Sequence, residues 1–138
     1  MHVGVGTFRP MKGDDVEEHE MHSEFVELSE ETVLKIKETK KCGGRVIAIG
    51  TTTVRVLEGV AAQEGELVAY SGDVNLFIKP GFEFKVIDGL VTNFHLPKST
   101  LLVLVSAFGG MDLVRCAYTH AVDERYRFYS FGDCMLIT

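Results

Sequence analysis

Cysteine is scarce in this sequence. Cys42, Cys116 and Cys134 are scattered, odd in number and free of any C-x-x-C pairing. Such usage excludes a disulfide framework and a cysteine zinc site, and it fits a reducing cytoplasm. Long apolar runs are missing too: the longest, Leu101 to Val105, stops at Ser106, far short of the ~18 residues a membrane span needs. The amino terminus, Met1-His2-Val3-Gly4, has neither a basic segment nor an apolar signal core. Nor is there a surplus of basic residues, since 14 Lys and Arg face 20 Asp and Glu for a net charge of −6. Nine of those acids but only two of the bases lie in residues 1–31, so the remainder is close to neutral. The acidity is local and does not exclude a nucleic-acid partner.

What is present fits one globular α/β domain. The 138 residues are 46% apolar and 25% charged, enough to bury a core without staples. No repeat, low-complexity tract or linker divides them. Val3, Val5 and Thr7 alternate with Gly4 and Gly6, which predicts a strand whose bare face lets a ligand or backbone come close. Residues 12–20 read as a solvated acidic connection. A second strand is predicted over 21–28, with His22, Glu24, Val26 and Leu28 on one face.

Ser29 then caps a predicted helix that begins with Glu30 and Glu31, ends at Lys40, Lys41 and Gly43, and turns Val33, Ile36 and Leu34 inward. Arg45 to Ile49 reads as a buried parallel strand, Gly50 as its turn, and Thr51 to Thr53 as the cap of a helix bearing Val54, Leu57 and Val60 to Ala62. Short β runs are expected at 67–70, 76–79, 84–87 and 90–96, with Asp88-Gly89 as a hairpin turn between the last two. In the last run Leu90, Thr92, Phe94 and Leu96 share one face, and Val91, Asn93 and His95 the other. Leu101 to Phe108 predicts a buried helix ended by Gly109-Gly110. A second helix over 112–125 carries Leu113, Val114, Ala117, Tyr118, Ala121 and Val122 at core spacing. Phe128 to Ile137 closes the chain as a strand broken by Gly132-Asp133.

Several constellations carry possible chemistry. The Gly50-Thr51-Thr52-Thr53 turn offers amides and hydroxyls at a helix start, where the dipole favours an anion; it lacks a Walker loop's lysine and spacing, and taken alone it reads first as a plain N-cap. His19-Glu20-Met21-His22-Ser23-Glu24 has metal-ligand residue types, but no zinc motif's spacing, so no metal is assigned. His22 and Glu24, two apart on a strand face, suit an acid/base pair, because a carboxylate orients an imidazole and raises its pKa; a surface pair would look the same. Asn93 and His95 form a similar polar couple, catalytic or structural. Arg125-Tyr126-Arg127-Phe128-Tyr129 interleaves cations with aromatics, the composition that grips phosphate and stacks bases, although packed aromatics with exposed arginines share it.

Read together, the strings Val3-Gly-Val-Gly-Thr-Phe-Arg-Pro10, His19 to Glu24, Gly44-Arg-Val-Ile-Ala-Ile-Gly-Thr-Thr-Thr-Val-Arg55, Phe77-Ile-Lys-Pro-Gly-Phe82, Asp88-Gly-Leu-Val-Thr-Asn-Phe-His-Leu-Pro-Lys-Ser-Thr100 and Tyr126-Arg-Phe-Tyr-Ser-Phe-Gly-Asp133 closely resemble the S-adenosylmethionine:tRNA ribosyltransferase-isomerases of queuosine biosynthesis. The resemblance runs over essentially the whole chain. Thr92 to Thr100 is its most distinctive part. Val74-Asn75, Val103 and Cys134 are conservative departures.

Members of that family are much longer. The resemblance therefore implies a C-terminal portion of a larger, barrel-like α/β domain: a mixed sheet flanked by helices, without the family's N-terminal strands and inserted β-barrel domain. It also implies transfer and isomerisation of the ribosyl group of S-adenosylmethionine onto the aminomethyl-deazaguanine at the tRNA wobble position, giving epoxyqueuosine, adenine and methionine. The sulfonium acidifies the adjacent ribosyl C–H, so that chemistry needs a base, an acid to assist loss of adenine, and a deprotonated amine. His22, Glu24, Asn93 and His95 are the expected acid/base set. Gly4, Gly6, Gly50, Thr51, Thr52 and Arg55 are expected at the S-adenosylmethionine, and Arg9, Lys98, Arg125 and Arg127 at tRNA phosphates. Two rival readings are a catalytically incomplete module that self-associates or needs an N-terminal partner, and a generic nucleotide-binding domain resting on the glycine-threonine turn.

Overall fold

The structure, a computed structural model, describes residues 23–138. The strand predicted over residues 3–9, the acidic connection and the sites Gly4, Gly6, Arg9 and His22 lie outside the described residues. The chain runs β1 (Glu24–Leu28), α1 (Glu30–Lys41), β2 (Ile47–Ile49), α2 (Thr51–Glu64), β3 (Tyr70–Val74), β4 (Gly89–Asn93), α3 (Thr100–Gly109), α4 (Met111–Asp123) and β5 (Cys134–Ile137).

In β1 the alternation is as expected: Glu24, Val26 and Leu28 are buried, while Phe25 and Glu27 face out. Ser29 caps α1, its hydroxyl accepting the amide of Thr32, and the helix opens on two acids and closes on two lysines. Both choices complement the helix dipole. Leu34, expected inside, is instead 59% exposed; the helix buries only the narrow stripe through Val33, with Ile36 partly covered.

Two sheets form rather than one. In the first, β1 pairs antiparallel with β3; in the second, the order is β2-β4-β5, parallel between β2 and β4 and antiparallel between β4 and β5. Helix α2 packs against β2, β3, β4 and α3 and is buried from Val54 through Ala61. The fold is thus mixed α/β, with its sheets flanked by helices. Its core is Val54, Val60, Leu90 and Val105, all without exposure, with Ile78 and Leu104. Gly59, in the middle of α2, lets this helix approach β3: a Cβ there would lie 2.3 Å from Val74 Cγ1.

Several sequence expectations need correction. Strand β2 is parallel but not buried on both faces, for Ala48 is covered while Ile47 and Ile49 are exposed. The run at 67–70 yields a strand only from Tyr70 onward, and 76–79 and 84–87 form none. Asp88-Gly89 makes no hairpin. Gly89 starts β4, and Asp88 clips β2 to that start: its amide donates to the Val46 carbonyl and its carboxylate accepts the Val46 amide, each at 2.8 Å. In α4 Leu113 and Val122 are exposed, because only Val114 and Ala121 are fully covered by the neighbouring elements. No single helix among the described residues is long and apolar enough to cross a membrane.

Candidate functional site

Parallel strands put their carboxyl ends side by side, and ligands of α/β proteins gather there. Here β2 and β4 run in register with Ile49 beside Val91, so both strands end at the same edge of the sheet. The Gly50 amide donates to the Val91 carbonyl at 2.8 Å, tying the two ends together. Gly50, with φ +88, then starts α2 without any side-chain cap. The threonines do not cap the helix as expected; Thr51 is buried, and the Thr53 hydroxyl donates back to the Ile49 carbonyl at 2.8 Å. Gly50 has no side-chain oxygen to cap the first amides of α2.

One turn into α2, Arg55 reaches Glu24 at the start of β1 with an Nη1–Oε1 distance of 3.3 Å, both side chains buried. Two residues expected in different roles therefore form one ion pair. The Arg55 Nε is buried without a hydrogen-bond partner among the described residues. A donor stranded this way costs free energy unless an acceptor joins it.

Beyond β4 the expected pairing changes. The strand stops at Asn93, so the alternation that would align His95 with Asn93 is broken. His95 turns inward, 7% exposed, with Nε2 2.9 Å from the Thr92 hydroxyl, and its amide donates to the Tyr118 hydroxyl oxygen at 2.9 Å. Burial pushes the imidazole pKa down to about 4, so His95 is neutral near pH 7. Burial likewise raises the Tyr118 phenol, partly opposed by the His95 amide. Asn93 is half-buried and its side-chain amide donates to the Tyr129 carbonyl at 2.8 Å.

The cations divide. Arg127 is held by Asp133 through Nε–Oδ2 and Nη2–Oδ1 contacts, both 3.0 Å, so its guanidinium braces the loop over 127–133. The paired Asp133 raises the Arg127 pKa, and Arg127 lowers that of Asp133. Lys98 and Arg125 are exposed. Arg125 takes φ +59 just past α4, where the amides of Arg125 and Tyr126 bond back to the carbonyls of Val122 and Ala121; glycine usually fills that place.

A cavity of about 640 Å³ opens between β1, α1, β2, α2 and β3, lined by residues including Glu27, Thr32, Ile47, Thr53 and Ser71. Among the described residues, none of the expected site residues lines it. Among the described residues no group of three His, Cys, Asp or Glu is disposed to hold a metal ion.

Residues 1–137 match the family described as Queuosine biosynthesis protein. The chain belongs to this family. A curated relative, the S-adenosylmethionine:tRNA ribosyltransferase-isomerase of Cupriavidus metallidurans, is 56% identical over all 138 residues, which make up 39% of that protein. A crystal structure of S-adenosylmethionine tRNA ribosyltransferase from Thermotoga maritima is 57% identical and superposes with a TM-score of 0.78, covering 83% of this chain and 40% of that one. The chain thus spans about two fifths of the length of the queuosine-family relatives it matches. Within it, sequence reasoning passed over Thr92, Tyr118, Asp133 and the buried Glu58. Only Glu58 left a signal: a lone acid inside the apolar stretch Val54 to Ala61 needs partners, and its carboxylate accepts the amides of Lys85, Val86 and Ile87 at 2.9 Å each.

Proposed function

We propose that the chain is the C-terminal portion of the catalytic, barrel-like α/β domain of a ribosyltransferase-isomerase, without the inserted β-barrel domain. In this reading it works in the cytoplasm as one domain, moving and isomerising the ribosyl group of S-adenosylmethionine onto the aminomethyl-deazaguanine at the tRNA wobble position and releasing adenine and methionine. The observation that carries the reading is the shared carboxyl edge of β2 and β4, where the Gly50 amide is tied to the Val91 carbonyl at the start of α2, in a chain 56% identical to an enzyme of that name.

The uncapped start of α2 and the stranded Nε of Arg55 fit an anionic group such as the donor's carboxylate. Gly4 and Gly6 complete the donor set. His95 is neutral near pH 7, and Thr92 and Tyr118 fix its position. With His22, Glu24 and Asn93 it makes up the acid/base set. Arg9, Lys98 and Arg125 meet tRNA phosphates, while Arg127 contributes mainly by bracing its loop. The test is adenine release by the purified chain from S-adenosylmethionine and tRNA carrying the aminomethyl base. His95→Ala lowers that release by about 10²–10⁴-fold if the imidazole transfers a proton. Release by the variant at the wild-type rate removes His95 from the set.

A second reading is favoured by the uncovered face of the three-stranded sheet, where Ile49 is 75% and Leu136 63% exposed. On it, the chain is catalytically incomplete and associates through that face.

A further inference from the structure

Tyr129 is held in a conformation that bulky residues avoid. Among the described residues only three non-glycines have positive φ, namely Lys98 at +57, Arg125 at +59 and Tyr129 at +65. For an aromatic residue this region is strained, and such strain persists where surrounding bonds over-determine it, typically at ligand clamps. The bonds are present. The Tyr129 amide donates to the Phe94 carbonyl at 2.9 Å, and its carbonyl accepts the Asn93 side chain at 2.8 Å. Both partners lie within two residues of His95 in sequence. The loop is further braced by the two-point Arg127–Asp133 pair.

What this clamp presents is a free ring. Phe94, Tyr118, Tyr126 and Phe128 pack against one another with centroids 5.3–5.8 Å apart. Tyr129 takes no part in that cluster; among the described residues its ring meets no other ring, and it is 47% exposed. The exposed cations Lys98 and Arg125 lie close in sequence, Lys98 after His95 and Arg125 before Tyr129. An exposed aromatic held rigidly at the surface is how proteins stack an unpaired base.

We propose that Tyr129 is a base-stacking residue, whose ring lies against a planar heteroaromatic base bound next to Asn93. The proposal rests on the reading of the chain as binding S-adenosylmethionine and tRNA. Two sources supply that chemistry, the donor's adenine and an unpaired base of the anticodon loop, and the test separates them. Binding of S-adenosylmethionine and of an anticodon stem–loop RNA is measured by calorimetry for the wild-type chain and for Tyr129→Gly, Tyr129→Leu and Tyr129→Phe, with thermal melts for each.

Tyr129→Gly removes the ring and relieves the backbone, so it melts no lower than wild type. Tyr129→Leu keeps the bulk without the aromatic face. Both weaken one of the two ligands by roughly 5- to 100-fold, whereas Tyr129→Phe binds as wild type. Loss confined to S-adenosylmethionine assigns the base to the donor, and loss confined to RNA assigns it to the anticodon loop. Wild-type affinity of the Gly and Leu variants for both ligands overturns the stacking role and leaves the functional reading standing. A Phe variant as weak as the Gly variant also overturns it, since the hydroxyl would then matter rather than the ring. A wild-type chain that binds neither ligand overturns both proposal and reading.

Discussion

At the scale of single residues, burial decides what the titratable groups can do. His95 is covered by the core and its pKa falls from the ordinary 6.5 to about 4. An unfolded chain takes up that proton below pH 6.5, while the folded chain resists it until about 4. The contribution to stability is therefore fully present above pH 6.5 and is lost as the pH falls toward 4, by roughly 3 kcal/mol in all. His95→Gln cannot titrate but can still bond to the Thr92 hydroxyl. Urea unfolding of the two proteins between pH 7.5 and about 4 is expected to show a steeper loss for wild type, and parallel curves would mean that His95 is not held neutral. Glu58 shows the contrary solution, a carboxylate that stays inside because three backbone amides satisfy it.

Among the elements, α2 carries the most and shows where sequence pattern was informative. Its start at Gly50 was legible from an apolar strand running into glycine and threonine, as was the Ser29 cap of α1. The alternation in β1 was legible because Glu24, Val26 and Leu28 repeat at the strand period. Asp88-Gly89 was misleading, since its turn chemistry is local whereas the clip from Asp88 to Val46 spans 42 residues. The Glu24–Arg55 pair, 31 residues apart, and the turn of His95 away from Asn93 were hidden for the same reason: each depends on where elements meet in space. Gly59 illustrates the point as a prediction. In an isolated helix alanine is better than glycine by about 1 kcal/mol, yet here a Cβ would press on Val74 Cγ1 at 2.3 Å. Overpacking of this kind costs about 1–3 kcal/mol, so Gly59→Ala is expected to lower the unfolding midpoint. Adding Val74→Ala should return part of that loss. A strictly additive double-mutant cycle would show that the two sites do not touch.

For the molecule as a whole, the composition is that of an ordinary globular domain, but the surface is not. Pairing Ile47 with Gly89, Ile49 with Val91 and Val91 with Leu136 puts one face of the second sheet together. On that face Ile49 and Leu136 are largely exposed and Val91 is only half-covered. Its other face, with Ala48, Leu90 and Thr92, is buried in the core. Contiguous apolar surface with no cover drives association in water, because joining two such faces removes both from solvent. The net charge of −6 opposes this only weakly at physiological salt, where screening shortens its reach to about 8 Å. The chain alone is therefore expected to sediment as a concentration-dependent mixture of monomer and dimer. Ile49→Lys places a charge on the face without touching the core, and should shift the mixture to monomer at unchanged thermal stability. If wild type sediments as a monomer at every concentration, that face is not sticky enough to matter, and the reading of the chain as a self-associating module is lost with it.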